Sequence, residues 1–260
     1  MYYSKIKLAL IQNLIGTKFI NTSPMQNKYP NIAVDVVLFS YLEKTLNVLL
    51  IQRNVMPFLG EYALPGVFLK EDEKAEEAAL RALKDETNVQ INYLEQLYTF
   101  TSSARDPRQR IISVSYFGLI NPNLQILSEG NKDASLVKWV NCDIMNSRGD
   151  GNFLPVKLAF DHDEIYKMAF NRLQTKVQYE PIGFGLLPDW FTLGELYKLY
   201  STILQKEFDR RNFTRKVMSY GLIKKTEHKS TGNVGRKGQL YEFDLEQYTK
   251  LKQSGFYFEI

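Results

Sequence analysis

Between Leu64 and Val89 the chain reads LPGVFLKEDEKAEEAALRALKDETNV, and Glu73, Arg81, Asp85 and Glu86 within it are residue types that handle metal-bound phosphate. Mg²⁺ keeps most of its waters and is held by one or two carboxylates together with substrate phosphates. Pro65-Gly66 is a turn signal. From Asp72 onward, Ala75, Ala78, Ala79, Leu80 and Leu83 place an apolar residue every three or four positions, which predicts an amphipathic helix. Residues three and four apart share a helix face, so Ala82, Asp85 and Glu86 are expected to project together towards whatever the loop encloses. Two of the three are acidic. The third, Ala82, can neither ligate a metal nor activate a water. Asp85 and Glu86 are then a weak or vestigial metal pair. No cofactor is required, and Mg²⁺ is the ion expected at any residual metal site. The simpler alternative is a solvated acidic helix whose Ala82 continues an alanine stripe into a core.

Elements that would position these groups lie on both sides. Asn31 to Ser40 and Leu46 to Arg53 read as strands joined by the polar turn Glu43-Lys44-Thr45. Tyr93 to Thr101, Arg110 to Ile120 and Ser135 to Val140 supply more, rich in β-branched and aromatic residues. A mixed sheet flanked by helices is the economical arrangement, an α+β fold. The loop ending DPRQR puts Arg105, Asp106 and Arg108 between two strands, and Arg53 ends another. Guanidinium groups bind phosphate bidentately or stack on a purine, and Phe58 offers a ring for a base or sugar face. These five are the candidate small-molecule contacts; the alternative is surface arginines and a core phenylalanine.

At 260 residues the chain exceeds the usual single domain, and its 44% hydrophobic and 24% charged residues are ordinary globular chemistry. One cysteine, Cys142, excludes an intramolecular disulfide, and two histidines, His162 and His228, leave no zinc-ligand cluster. A reducing cytoplasm is the expected setting. Residues 1–28 resemble a signal peptide only superficially: Gln12, Asn13 and Lys18 interrupt the apolar run, and no stretch approaches the roughly 18–20 apolar residues of a membrane span. They are taken as an extension, and Met25 offers an alternative start to Met1.

The character changes after Phe160. Asp161 to Thr175 reads as a helix with Asp161 at its cap, and Val177 to Pro188, with two prolines and two glycines, reads as a linker. Thr192, with Glu195 three residues on, opens a helix to about Tyr200, and Asp209 caps a second over Arg210 to Tyr220. Strands at Leu222 to Thr226 and Gln239 to Phe243 flank a glycine-rich loop, a wing pattern. From Lys198 to Lys237 eleven basic residues stand against three acidic ones, while the whole chain carries only +4. Such clustering is the footprint of duplex DNA, and Arg210, Arg211, Asn212, Arg215, Lys216, Arg236 and Lys237 are the candidate contacts. The alternative is a solvated basic face on a small helical domain.

The segment Val67 to Val89 resembles the Nudix box, G-x5-E-x7-R-E-U-x-E-E-x-G-U with U aliphatic. Glu73, Arg81, Leu83, Glu86 and Val89 match outright and Asp85 replaces a Glu, whereas Val67, Ala82 and Asn88 depart. With AFDH at 159–162, the linker and the winged helix, the chain after about Lys28 resembles the Nudix-related transcriptional regulators of the NrtR family. The resemblance implies a Nudix α/β/α sandwich with a mixed sheet followed by a winged helix-turn-helix. The expected bounds are an extension over 1–28, the Nudix-like domain over 29–158, a connecting helix and linker over 159–188, and the DNA-binding domain over 189–260. It further implies a homodimeric repressor or activator that binds operator DNA and a small effector, ADP-ribose or a sugar, with a degenerate Nudix box at Ala82. Its rival is a working Nudix hydrolase of ADP-ribose or a related nucleoside diphosphate.

Overall fold

The structure, a computed structural model, describes residues 29–87, 91, 93–124, 134–146, 156–230 and 238–260, and residues 31–260 form one compact unit. Its elements run β1 (Asn31–Leu42), β2 (Thr45–Arg53), β3 (Tyr62–Ala63), β4 (Gly66–Phe68), α1 (Ala75–Thr87), β5 (Tyr93–Phe100), β6 (Ile111–Ile120), β7 (Ala134–Asn141) and α2 (Cys142–Asn146). There follow α3 (His162–Lys176), a 3₁₀ turn (Pro181–Leu186), α4 (Leu193–Leu204), α5 (Arg210–Ser219), β8 (Ile223–Lys229), β9 (Gln239–Phe243) and α6 (Leu245–Gln253). Strands β3 and β4 and helices α2 and α6 carry too little periodic pattern to be read from sequence, being two to nine residues long.

The sheet is mixed. β1 pairs parallel with β6 and antiparallel with β2 and β4, while β5 extends it beyond β6, and β3 and β7 both pair with β2. The β1–β2 hairpin closes through Glu43 and Lys44, both left-handed at φ 48° and 65°, the backbone of a two-residue turn that matches strand twist.

Period-two alternation divides β1 between two cores. Val34, Val36 and Leu38 face α1, whose Ala78, Ala79, Ala82 and Leu83 are all fully buried against them. Val37, Phe39 and Tyr41 face the opposite side, beneath Ile165, Tyr166, Ala169, Phe170 and Leu173 of α3. This second core does not stop at α3. It continues through Phe184 and Leu186 of the 3₁₀ turn to Leu196, Leu199, Tyr200 and Ile203 of α4 and to Phe213 and Val217 of α5.

Residues 177–188, whose prolines and glycines suggest a linker, are therefore a packed element and not a free hinge. Pro181, Gly183, Phe184, Leu186 and Leu187 are buried, and a Cβ at Gly183 would come within 3.1 Å of the Tyr200 ring. Glycine here permits close packing. Side-chain bonds reinforce the join: Asn121 donates to Asp189 at 2.9 Å and Gln174 to the Ile203 carbonyl at 2.8 Å. Glu95 on β5 accepts from Arg172 and Lys176 of α3 at 3.1 and 2.8 Å.

The expected capping box forms at α4, where the Glu195 amide donates to Thr192 Oγ1 at 3.1 Å and the Thr192 amide to Glu195 Oε2 at 2.6 Å. Asp209 caps α5 through the Asn212 amide at 2.7 Å. Asp161 stands at the N-cap of α3, but contrary to expectation its side chain makes no capping bond. Among the described residues no helix is long and apolar enough to cross a membrane.

Candidate functional site

A cavity of about 400 Å³ opens beside β1, β4 and α1, and it gathers Arg53, Arg81, Asp85, Arg105, Asp106 and Arg108, all singled out by residue type. It also holds Asp35, Phe160 and His162, which the sequence reading did not select. Asp35 hides within the apolar alternation of β1, and Phe160 and His162 flank a presumed helix cap. The AFDH signature was the available signal.

At the floor, Arg105 is buried and doubly paired. Nε and Nη2 donate to the two Asp161 carboxylate oxygens at 2.9 and 2.8 Å, and Nη2 also reaches Asp35 Oδ2 at 3.1 Å. Its side chain is 4% exposed, so the expectation of an effector-facing guanidinium gives way to a buried tie between the β5–β6 loop and α3. Ser113 Oγ donates to Asp35 at 2.6 Å, itself within reach of Ser115. The Leu64 amide donates to His162 Nδ1 at 2.9 Å, which leaves the ring proton on Nε2, 3.7 Å from Asp35 Oδ1. Burial pushes the His162 pKa down, so the ring stays neutral around neutrality.

The wall is aromatic and cationic. The Arg53 and Arg108 guanidinium carbons lie 4.8 and 5.6 Å from the centre of the Phe160 ring, within cation–π range. Phe160 adopts a left-handed backbone at φ 58°. Phe58, expected as the stacking ring, instead packs edge-on against Phe160 at 4.7 Å; the phenylalanines that line the cavity are Phe68 and Phe160. Arg53 is steadied by the Pro57 carbonyl at 2.9 Å, and Arg108 is clasped by Asp106 at 2.7 and 3.0 Å.

On the α1 side the picture departs from the sequence expectation. Ala82 is fully buried in the core under the sheet, whereas Asp85 is exposed at the cavity, so the two do not project together. The Glu86 side chain lies outside the described part. Glu73 and Arg81 form a bidentate pair at 2.6 and 2.7 Å that also binds the Phe68 carbonyl and the Lys70 amide, closing the loop onto α1. The Arg81 hydrogen bonds hold the Glu73 carboxyl down at about 2. Of the Nudix-box metal positions, Ala82 supplies no oxygen and Asp85 is exposed at the cavity, and among the described residues, which exclude the Glu86 side chain, no group of three or more metal-binding side chains assembles.

The second candidate site is the outer face of α5. Arg210, Arg211, Asn212 and Arg215 are exposed, while Phe213 and Val217 anchor the helix inward. Arg215 donates to Asn212 at 2.7 Å, fixing the two as a unit. Arg210 lies over the Tyr197 ring at 5.9 Å, and Lys216 is turned to Glu259 at 3.1 Å, so both are partly committed within the protein. Arg236 and Lys237 lie outside the described residues. Sequence reading missed the exposed pair Trp190 and His228, whose rings stack at 4.0 Å beside the β8–β9 ribbon.

With both sites in place, the likeness to known proteins is decisive. The Nudix domain model matches residues 30–166 and the NrtR DNA-binding winged helix domain model residues 183–243. The ADPR responsive transcriptional repressor NtrR of Acinetobacter baylyi is 33% identical over 221 residues, 84% of each chain. The chain belongs to the NrtR family. NrtR of Shewanella oneidensis, crystallised with a 27mer DNA, superposes with a TM-score of 0.72 at 33% identity, covering 87% of this chain and 97% of that one. The Nudix domain of the same Shewanella NrtR, crystallised with ADP ribose, gives a TM-score of 0.50 at 36% identity over 59% of this chain and 94% of that one. In this NrtR-family chain the matched winged helix contains α4, α5 and the β8–β9 ribbon, so the exposed cationic face of α5 belongs to the DNA-binding module.

Proposed function

We propose that this protein is an ADP-ribose-responsive transcriptional repressor, a homodimer whose winged helices bind operator DNA and whose Nudix cleft senses the effector without hydrolysing it. The observation that carries the reading is the cleft itself. Two guanidinium groups share one aromatic ring at its wall, an arrangement suited to an anionic, base-bearing ligand, and the core beneath the same sheet runs unbroken into α4 and α5. The Shewanella relatives bound to DNA and to ADP ribose supply the two ligand classes. Arg53, Arg108 and Phe160 are assigned to the effector and Arg211, Asn212 and Arg215 to DNA.

Binding of the anion in the cleft changes how α3 presents α4 and α5, and the half-site geometry of the dimer no longer matches its operator. An electrophoretic mobility shift with the protein's own promoter fragment, run with ADP-ribose, nucleoside diphosphate sugars and free pentoses, tests this. Release of DNA by ADP-ribose alone is expected; indifference to every ligand removes the sensor reading, and release by a pentose reassigns the effector.

We infer that the hydrolase is the weaker reading. Transfer of a phosphoryl group needs metal ions to neutralise developing charge, and a buried alanine stands where an oxygen ligand belongs. Incubation of the full chain with ADP-ribose and Mg²⁺ is expected to release no AMP; turnover would reinstate it.

A further inference from the structure

The cleft does not present its arginines bare. Arg108 is held by both oxygens of Asp106, and Arg105 by both oxygens of Asp161 with Asp35 as a third contact. The two pairs differ in access. The Arg108 side chain is 41% exposed and Arg105 only 4%, so an anion entering the cleft meets Arg108 first. Asp106 is 3% exposed, and a carboxylate so deeply buried is costly to leave without a counter-charge. Arg105 is next to it in sequence, and its charge already helps to keep Asp106 ionised. At the far end Asp161 occupies the N-cap of α3 yet caps nothing, because Arg105 occupies both of its oxygens. Aspartate is among the best capping residues once its side chain is free to turn inward.

We propose that occupancy of the cleft by an anion is relayed to α3 by a two-step exchange of partners: ligand phosphate takes Arg108 from Asp106, Arg105 turns from Asp161 to Asp106, and Asp161 is released to cap α3. Asp35, anchored by Ser113, is the pivot that retains Arg105 during the exchange. The freed cap reorders the first turn of α3, whose later turns hold β5 through Arg172 and Lys176 and α4 through Gln174. Ligand phosphate replaces Asp106 at Arg108 and Arg105 replaces Arg108 at Asp106, while Asp161, 11% exposed, exchanges its ion pair for the amides at the N-terminus of α3, where the helix dipole favours a carboxylate. Arg105 is thus a positioning residue for regulation, not a ligand contact. The proposal rests on the ADP-ribose reading above and names the regulation of that same cleft.

The test uses the full-length chain and a duplex from its own upstream region. DNA affinity is measured by fluorescence anisotropy with and without saturating ADP-ribose, and their ratio gives the coupling factor, for which about 5–150-fold is typical. Asp106→Asn removes the charge that recruits Arg105, and the coupling factor is expected to fall to about one. Asp161→Asn keeps a capping side chain but loosens its grip on Arg105. Its DNA affinity without ligand is expected to match that of the ligand-saturated wild type, an effect that simple destabilisation does not produce. Wild-type coupling in Asp106→Asn, or wild-type ligand-free affinity in Asp161→Asn, overturns the exchange. A wild type whose DNA affinity ignores ADP-ribose overturns the effector reading itself, and the relay with it.

Discussion

Single atoms decide several features of the cleft. A Cβ at Gly66 would lie 2.4 Å from Asp35 Oδ1 and 3.0 Å from the Val34 carbonyl, so the glycine next to the Nudix-box start is required by the carboxylate behind it. Gly66→Ala is expected to destabilise the protein by about 1–3 kcal/mol through forced displacement of β4, measured by urea unfolding. Ala82 carries a similar lesson. Its complete burial means that Ala82→Glu, the obvious repair of the Nudix box, inserts a carboxylate into a packed apolar layer. The variant should melt well below the parent, and addition of Mg²⁺ should not restore it if the metal ligands fail to assemble. At the DNA face, Arg211→Ala or Arg215→Ala should weaken duplex binding and reduce the salt slope by about one each, whereas Lys216→Ala, already engaged with Glu259, should do less. Equal losses for all three would remove the distinction drawn from their partners.

At the scale of elements, ends and closures matter more than interiors. The Glu73–Arg81 pair fastens the loop before α1, and Arg81 keeps the Glu73 pKa at about 2 against an ordinary value of 4.5. Because the folded value is depressed, the pair's contribution is complete above the unfolded pKa and is lost as pH falls from about 4.5 towards about 2. Acid titration of stability should therefore show a component in that window that Glu73→Gln abolishes; an unchanged acid profile would contradict the assignment. His162 works in the same direction at higher pH, since burial lowers its pKa and the unfolded chain takes up the proton first as pH drops below about 6.5. At α4 the reciprocal capping box gives a cleaner element-level prediction: Thr192→Ala should cost about 1 kcal/mol, with both partners of the box lost together.

Across the whole molecule, the sensing and DNA-binding halves share one hydrophobic core through α3, the 3₁₀ turn and α4. Two domains on a flexible tether would melt independently. Here calorimetry of the full chain should give one cooperative transition, and Leu199→Ala, fully buried at the join, should lower it as a unit at a cost of about 2–5 kcal/mol. Two resolved transitions would show that the core is divided. The C-terminal segment adds a strap: Phe258 is buried, the Ile260 amide donates to the Gln178 carbonyl at 3.0 Å, and Tyr220 Oη donates to the Glu259 carbonyl at 2.7 Å. It ties the end of α5 to the end of α3.

Sequence alone determined the elements whose signals are local. Strand alternation in β1 and β2, the Thr192–Glu195 box, the Asp209 cap and the charge surplus around α5 need no distant partner to be read. The Nudix-box spacing likewise located one wall of the cleft, and loop arginines located another. Only the tertiary structure decided what each charge does, because pairing depends on residues far apart in the chain. Arg105 meets Asp161 across 56 positions and Asp35 across 70, which turns an apparent ligand contact into a buried tie and leaves a helix cap unused. Phe160 lines the cavity where Phe58 was expected, and residues 177–188 packed where their composition suggested freedom, for the same reason. Burial is set by what folds over a segment, and that information lies elsewhere in the chain.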